Sequence, residues 1–196
     1  MVDILEETFR KWAGQLDIRE ASIAIYRRVR DIPYAIVPEL NDSERYIDIL
    51  TMNKGSCAPK HFLLCALFQK LGLSVLYAVY PFRWDEYESI YPPELKELAR
   101  EMRLSHHVAC KVDIEGKFVL VDATLDPGLA PSGLPINREW DGVHDTLLPM
   151  QPCGKEQLYH PSEVNLMGME KIAKQSLRFY SLLNSWLEEI RSKKVV

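Results

Sequence analysis

Three side chains have the types and spacing that thiol chemistry requires: Cys57, His107 and Asp122. A thiol attacks only as its thiolate, and a free cysteine ionises near pH ~8.5, so a reactive one must sit where negative charge is favoured. The segment Gly55-Ser56-Cys57-Ala58-Pro59 reads as a turn followed by a proline where a first helical turn tolerates one, so a helix is predicted to begin close to Cys57. Unpaired N–H groups and the positive end of the helix dipole favour a thiolate there, and the same N–H groups can hold an oxyanion. A base must then lie within hydrogen-bond reach of the sulfur, and a third group must orient that base.

A predicted hairpin supplies both. His107–Ile114 and Lys117–Leu125 are extended runs separated by Glu115-Gly116, which reads as a two-residue turn. That turn sets Ile114 opposite Lys117, Ala109 opposite Asp122 and His107 opposite Thr124. Side chains alternate along a strand, so these last four residues share a face, with His107 and Asp122 as diagonal neighbours. A slip of one residue would bring in His106 instead. Each of the three also has a plain structural use: Cys57 as a small buried residue, His107 as a hydrogen-bonded strand histidine, Asp122 as a loop cap. Their shared face is what separates the two readings.

The elements that must position them follow from the pattern of apolar residues. Asp17 with Glu20 three places on resembles a capping box, opening a helix whose Ile18, Ala21, Ile25 and Val29 repeat at helical spacing. Ile4, Leu5, Phe9 and Trp12 suggest a short helix before it, and Ser43–Met52 suggests another after it. From about Ala58 to Leu71 the chain is apolar around most of a helix's circumference, so this helix is expected at the centre, stopped by Gly72. Val75–Tyr80 reads as a strand ended by Pro81. Residues 82–105 form an excursion with a helix from Pro93 to Leu104, a candidate rim or lid. Its aromatic and acidic stretch, Phe82 to Tyr91, either lines a cleft or docks the insert.

Beyond Asp126-Pro127-Gly128, prolines and glycines to about Pro161 imply an irregular wrap. A final helix, about Val164–Ser192, is expected to pack on the outside through Ile172, Leu183, Trp186, Leu187 and Ile190. Arg191-Ser192-Lys193-Lys194 reads as its solvated end. The expected fold is α+β: a central helix on an antiparallel sheet, with additional helices at both ends, in one domain spanning 1–196.

Gly55-Ser56-Cys57, with Gly72-Leu73 fifteen and sixteen residues after the cysteine, resembles the core motif of the transglutaminase-like superfamily. His107-Val108-Ala109-Cys110-Lys111-Val112, then Glu115-Gly116-Lys117-Phe118 and Val121-Asp122-Ala123-Thr124, is similar to its histidine and aspartate motifs. Val29-Arg30-Asp31-Ile32-Pro33-Tyr34 is similar to the segment that leads into that core, so the resemblance covers about residues 22–128, leaving 129–196 as wrap and helix. It implies a papain-like core with Cys57 as nucleophile, His107 as general base and acid, and Asp122 as its orienting partner. The family often has an aromatic residue where this chain has Ala109 and a glutamate where it has Lys111. Its oxyanion hole is commonly completed by a side chain, for which Asn53, Tyr34 and Tyr46 are candidates.

Composition bounds the rest. Hydrophobic residues at 47% and charged ones at 27% are those of a soluble globular protein, and 24 basic against 28 acidic residues give no footprint for nucleic acid. The longest mostly apolar run, Phe62–Phe68, is far below the ~20 residues of a membrane span, and the acidic start lacks the features of a secretory signal. Cys57, Cys65, Cys110 and Cys153 contain no C-x-x-C pair, so reduced thiols and a cytoplasmic location are expected. Cys65 reads as core, Cys110 as facing away from the triad and Cys153 as a spectator; His61 faces either the site or the core.

His106 and Cys110 supply only two potential ligands, and no phosphate-binding loop is present, so neither metal nor organic cofactor is expected. The function expected is acyl transfer through a Cys57 thioester, as a cysteine peptidase or amidase acting on a peptide, protein or small amide. The alternatives are a protein-cross-linking acyltransferase and a non-catalytic peptide-binding or assembly module. Oligomeric state is not legible.

Overall fold

The computed structural model describes residues 3–40, 42–167 and 174–193. Helix α1 (Ile4–Ala13) starts at Asp3, whose carboxylate accepts from the N–H groups of Leu5 and Glu6. Helix α2 (Ile18–Arg30) starts at Asp17, which accepts from Glu20 N–H as the capping pattern requires. After a short helix α3 (Ile49–Met52) comes the central helix α4 (Cys57–Lys70). Strand β1 (Val75–Phe82), helix α5 (Pro93–Glu101), strands β2 (Ser105–Ile114) and β3 (Lys117–Val121), a short strand β4 (Gln157–Tyr159) and helix α6 (Lys174–Ser192) follow.

The antiparallel sheet has the order β3-β2-β1-β4, and the fold is α+β. On one face Val108, Cys110, Val112, Val119 and Val121 share a core with Phe62, Leu63, Leu64 and Phe68 of α4. On the other, Ala78, Tyr80 and Ala109 share a second core with Leu95 of α5 and Phe179, Leu183 and Leu187 of α6. The sheet is thus sandwiched between two helical layers, and each fully buried leucine or phenylalanine contributes about 1.5–3 kcal/mol. Among the described residues no helix is long and apolar enough to cross a membrane.

Hairpin register matches the expectation: Ile114 pairs with Lys117 and Cys110 with Val121. Glu115 (φ 54°) and Gly116 (φ 84°) both take the left-handed conformation that a tight two-residue turn demands. Four expectations fail. Pro81 does not end β1, which continues to Phe82 with Pro81 opposite His106. Its carbonyl accepts from Cys153 N–H, away from β2, and in an antiparallel strand a residue's N–H and C=O point to the same side. Its missing N–H therefore falls beyond β4, which pairs only with Tyr77–Val79, and costs no ladder bond.

The wrap is not wholly irregular, because Gln157–Tyr159 adds the edge strand. The final helix does not reach back to Val164 as expected, because Pro161–Met167 is a 3-10 segment, while Leu183, Leu187 and Ile190 of α6 pack into the second core as expected, joined by Phe179. Ile172 and Lys194 lie outside the described residues. The excursion helix is also shorter than expected, ending at Glu101.

Candidate active site

Cys57 is the first residue of α4 and remains partly exposed. What delivers it there is a parallel bridge between Tyr34 and Gly55, closed by Gly55 N–H to Pro33 O (3.1 Å) and Ala35 N–H to Gly55 O (3.1 Å). A Cβ on Gly55 would stand 2.9 Å from Ile49 Cγ2, so the close approach of this turn to α3 requires glycine. The hairpin brings His107 Nε2 to 2.5 Å from Asp122 Oδ2, with the two residues 3% and 1% exposed. That leaves the other ring nitrogen for the hydrogen bond between His107 and Cys57. Asp122 is held in turn, its Oδ1 accepting from Thr124 N–H and its own N–H donating to Thr146 Oγ1. All three predicted residues meet, and His106 is exposed elsewhere on the strand.

Electrostatics separate the charges along this chain of contacts. Burial pushes the Cys57 thiol up, but the charge and hydrogen bond of His107 and the backbone N–H of Val108 outweigh it against opposition from Asp122, and the thiol lies below its ordinary value. Burial pulls His107 down, yet Asp122 and Cys57 raise it to about 10. Asp122 is likewise penalised by burial and still held below the usual carboxylate range, chiefly by His107. Each shift favours the charged form of its group: thiolate on Cys57, imidazolium on His107 and carboxylate on Asp122.

His61, one turn into α4 and fully buried, ties the helix start to the hairpin. Its Nδ1–H donates to Cys57 O (2.8 Å), while Nε2 accepts from Ala123 N–H (3.0 Å), 4.0 Å from Asp122 Oδ2. An Nε2 that accepts a backbone bond cannot carry a proton, and burial depresses the His61 pKa to about 4. The unfolded chain, with histidine near ~6.5, therefore binds more protons between those values, and stability falls as pH drops through that window. A loss of up to about 3 kcal/mol is expected from this group between pH 7 and 4, with Asp122 and Asp126 adding theirs as pH falls further. Urea midpoints across pH 4–7 should fall steeply in the wild type and less in His61→Gln; parallel slopes would rule the assignment out.

Sequence reasoning missed several supports. Lys60 is fully buried, and its ammonium donates to the carbonyls of Arg30 (3.0 Å), Ile32 (2.7 Å) and Thr124 (2.7 Å), joining α2, the loop into the bridge and the segment after Asp122. Burial lowers its pKa to about 7 against the pull of Asp126 and Asp122. Its visible signal was a lysine inside an otherwise apolar helix, which must find partners when buried. Arg191, expected in solvent, instead forms a two-pronged pair with Asp126 (3.0 and 2.6 Å) and donates to Tyr34 O (2.7 Å). Asp126 also accepts from Tyr34 N–H (2.8 Å), so the C-terminal helix clamps the strand-like segment beside Gly55.

Of the three candidate oxyanion side chains, only Tyr34 is at the site. Its ring is buried and interacts electrostatically with Cys57, and burial holds its hydroxyl protonated. Asn53 is exposed at the end of α3, and Tyr46 lies near Lys70 at the opposite end of α4. Cys65 and Cys110 meet in the core beneath the sheet, and Cys153 is exposed. Ala109 faces Ala78 in the second core, and Lys111 pairs with Glu156 at 2.9 Å. Among the described residues no group of three or more potential metal ligands occurs.

Fold and site together define an α+β protein carrying a cysteine, histidine and aspartate in contact at the amino end of its central helix. No family profile matches the chain, and no curated protein matches it. Its structure is similar to that of a protein from Cytophaga hutchinsonii provisionally described as a cysteine protease, with 20% identity and a TM-score of 0.44 over 61% of this chain. The match spans 36% of that protein's length.

Proposed function

We propose that this protein is a thiol-dependent acyl-transfer enzyme of transglutaminase-like type that hydrolyses amide bonds through a thioester on Cys57. The observation that supports it is the continuous hydrogen-bonded series Cys57, His107, Asp122 at a helix amino terminus. Cys57 thiolate attacks the amide carbonyl carbon, and the oxyanion is held by the Cys57 backbone N–H with Tyr34 beside it. Collapse breaks the C–N bond as the His107 imidazolium gives its proton to the departing amine, leaving a thioester. His107, now neutral, takes a proton from water, whose hydroxide displaces the thiolate and releases a carboxylic acid. Substrates are peptides, proteins or small amides; an amine in place of water would give cross-linking instead.

Selective alkylation tests this directly. Iodoacetamide should modify Cys57 well below pH 8.5 in the wild type, with the apparent thiol pKa raised by at least about one unit in His107→Ala, as read by mass spectrometry of the labelled peptide. An ordinary thiol profile in both proteins would sink the catalytic reading and favour the binding module.

A further inference from the structure

Beside His107, on the face of the sheet away from α4, lies a small, partly open cavity. Its walls come from segments outside the region of family resemblance as well as inside it. The excursion contributes Trp84, Tyr87 and Tyr91, helix α6 contributes Leu183 and Trp186, and the catalytic hairpin contributes His107 and Thr124. No Asp, Glu, Lys or Arg is among its lining residues. The polar ends of two of the aromatic rings are already committed: Trp84 Nε1–H donates to Ser105 Oγ (2.9 Å), and Tyr87 hydroxyl donates to Pro149 O. These side chains are fixed by edge-to-face packing, Trp84 on Phe179 at 5.1 Å and Tyr91 on Trp186 at 5.3 Å between ring centroids.

Thr124, one of the lining residues, carries a hydroxyl that is closed off behind the wall. Thr124 Oγ1 is buried, with the residue 3% exposed, and makes no hydrogen bond with any described residue. A buried hydroxyl without a partner is uncommon, and here it belongs to a residue lining an otherwise apolar pocket next to the general base. Tyr34 lines the same cavity and interacts with Cys57, so the pocket and the nucleophile share a wall.

We propose that this cavity is the specificity pocket for an uncharged aromatic side chain of the substrate. The proposal rests on the acyl-transfer reading for its place in the reaction, but occupancy of the pocket does not require chemistry. An aromatic ring matches the flat, rigid walls, and a cationic side chain would be stripped of water there with no counter-charge, beside a histidine whose own charged form is favoured.

Trp84 and Trp186 report occupancy. In Cys57→Ala protein, titration with N-acetyl-phenylalanine amide, excited at 295 nm, should change tryptophan fluorescence saturably. N-acetyl-lysine amide should bind at least about 30-fold more weakly. Leu134→Trp, at the partly exposed rim, should fill the cavity and abolish the phenylalanine signal. Equal binding of aromatic and cationic ligands, absence of saturable binding, or full binding by Leu134→Trp would overturn the pocket. Iodoacetamide labelling of Cys57 in the parent protein reads the thiol separately. A reactive thiol with no aromatic binding defeats the pocket alone, and aromatic binding with an ordinary thiol defeats only the catalytic reading.

Discussion

Exchanging Cys57 for serine is expected to lower amide turnover at least ~10³-fold while leaving the melting curve nearly unchanged. The two side chains differ by one atom, but His107 and the helix amino terminus only have to stabilise a thiolate that is already below its ordinary pKa. A serine alkoxide is far more basic than a thiolate, so the same donors leave the hydroxyl protonated, and an imidazole whose charged form is favoured by Asp122 is a poor base to activate it. Asp122→Asn should follow the same direction for a different reason. An amide can accept from His107 but brings no negative charge, so the imidazolium loses its main support and the thiol rises with it. Turnover on any amide found by screening, with intact folding shown by circular dichroism, is the measurement. A serine variant retaining even a tenth of wild-type rate would remove Cys57 from the mechanism.

The second large effect is on stability. Arg191→Ala removes both prongs from Asp126, whose side chain is 5% exposed, and leaves a buried carboxylate with only Tyr34 N–H. Breaking one partner of such a pair costs about 3–5 kcal/mol, much of it the penalty on the stranded charge. Arg191→Met combined with Asp126→Asn removes both charges and should recover much of that loss, which a double-mutant cycle in urea would quantify. The single variant should also loosen Tyr34, since its carbonyl loses the 2.7 Å bond from Arg191, and alkylation of Cys57 should become less selective. Gly128 fits this clamp too, because a Cβ there would lie 2.9 Å from Asp126 Oδ1 and 3.1 Å from Arg191 Cγ. If Arg191→Ala shifts the urea midpoint no more than an exposed substitution does, the clamp is only a surface ion pair.

Local chemistry in the sequence was enough to bring His107 and Asp122 together. A two-residue turn at Glu115-Gly116 sets the register, and register with alternation sets the face; no distant part of the chain enters that argument. The start of α4 at Cys57 was equally local, set by a glycine turn and a proline. The supports around the site were not legible because their partners are backbone carbonyls or residues far away in the chain. Lys60 reaches Arg30, Ile32 and Thr124 through oxygens that every residue possesses, so their identity carries no signal. Arg191 meets Asp126 across 65 residues, and nothing near either one distinguishes a clamp from a solvated helix end.

Strand β4 is three residues long and exists because β1 offers an open edge, which only the assembled sheet presents. The aromatic pocket has the same origin. Trp84, Tyr91 and Trp186 were each visible as apolar residues, but only the packing of α6 over the excursion turns two separate stretches into one aromatic wall beside the histidine. The sequence by itself determined the His107–Asp122 pair and the helix start at Cys57, because turns and alternation act over a few residues. The tertiary structure decided what holds that constellation rigid and what it faces, because those depend on contacts whose closure is paid for by burying the whole core.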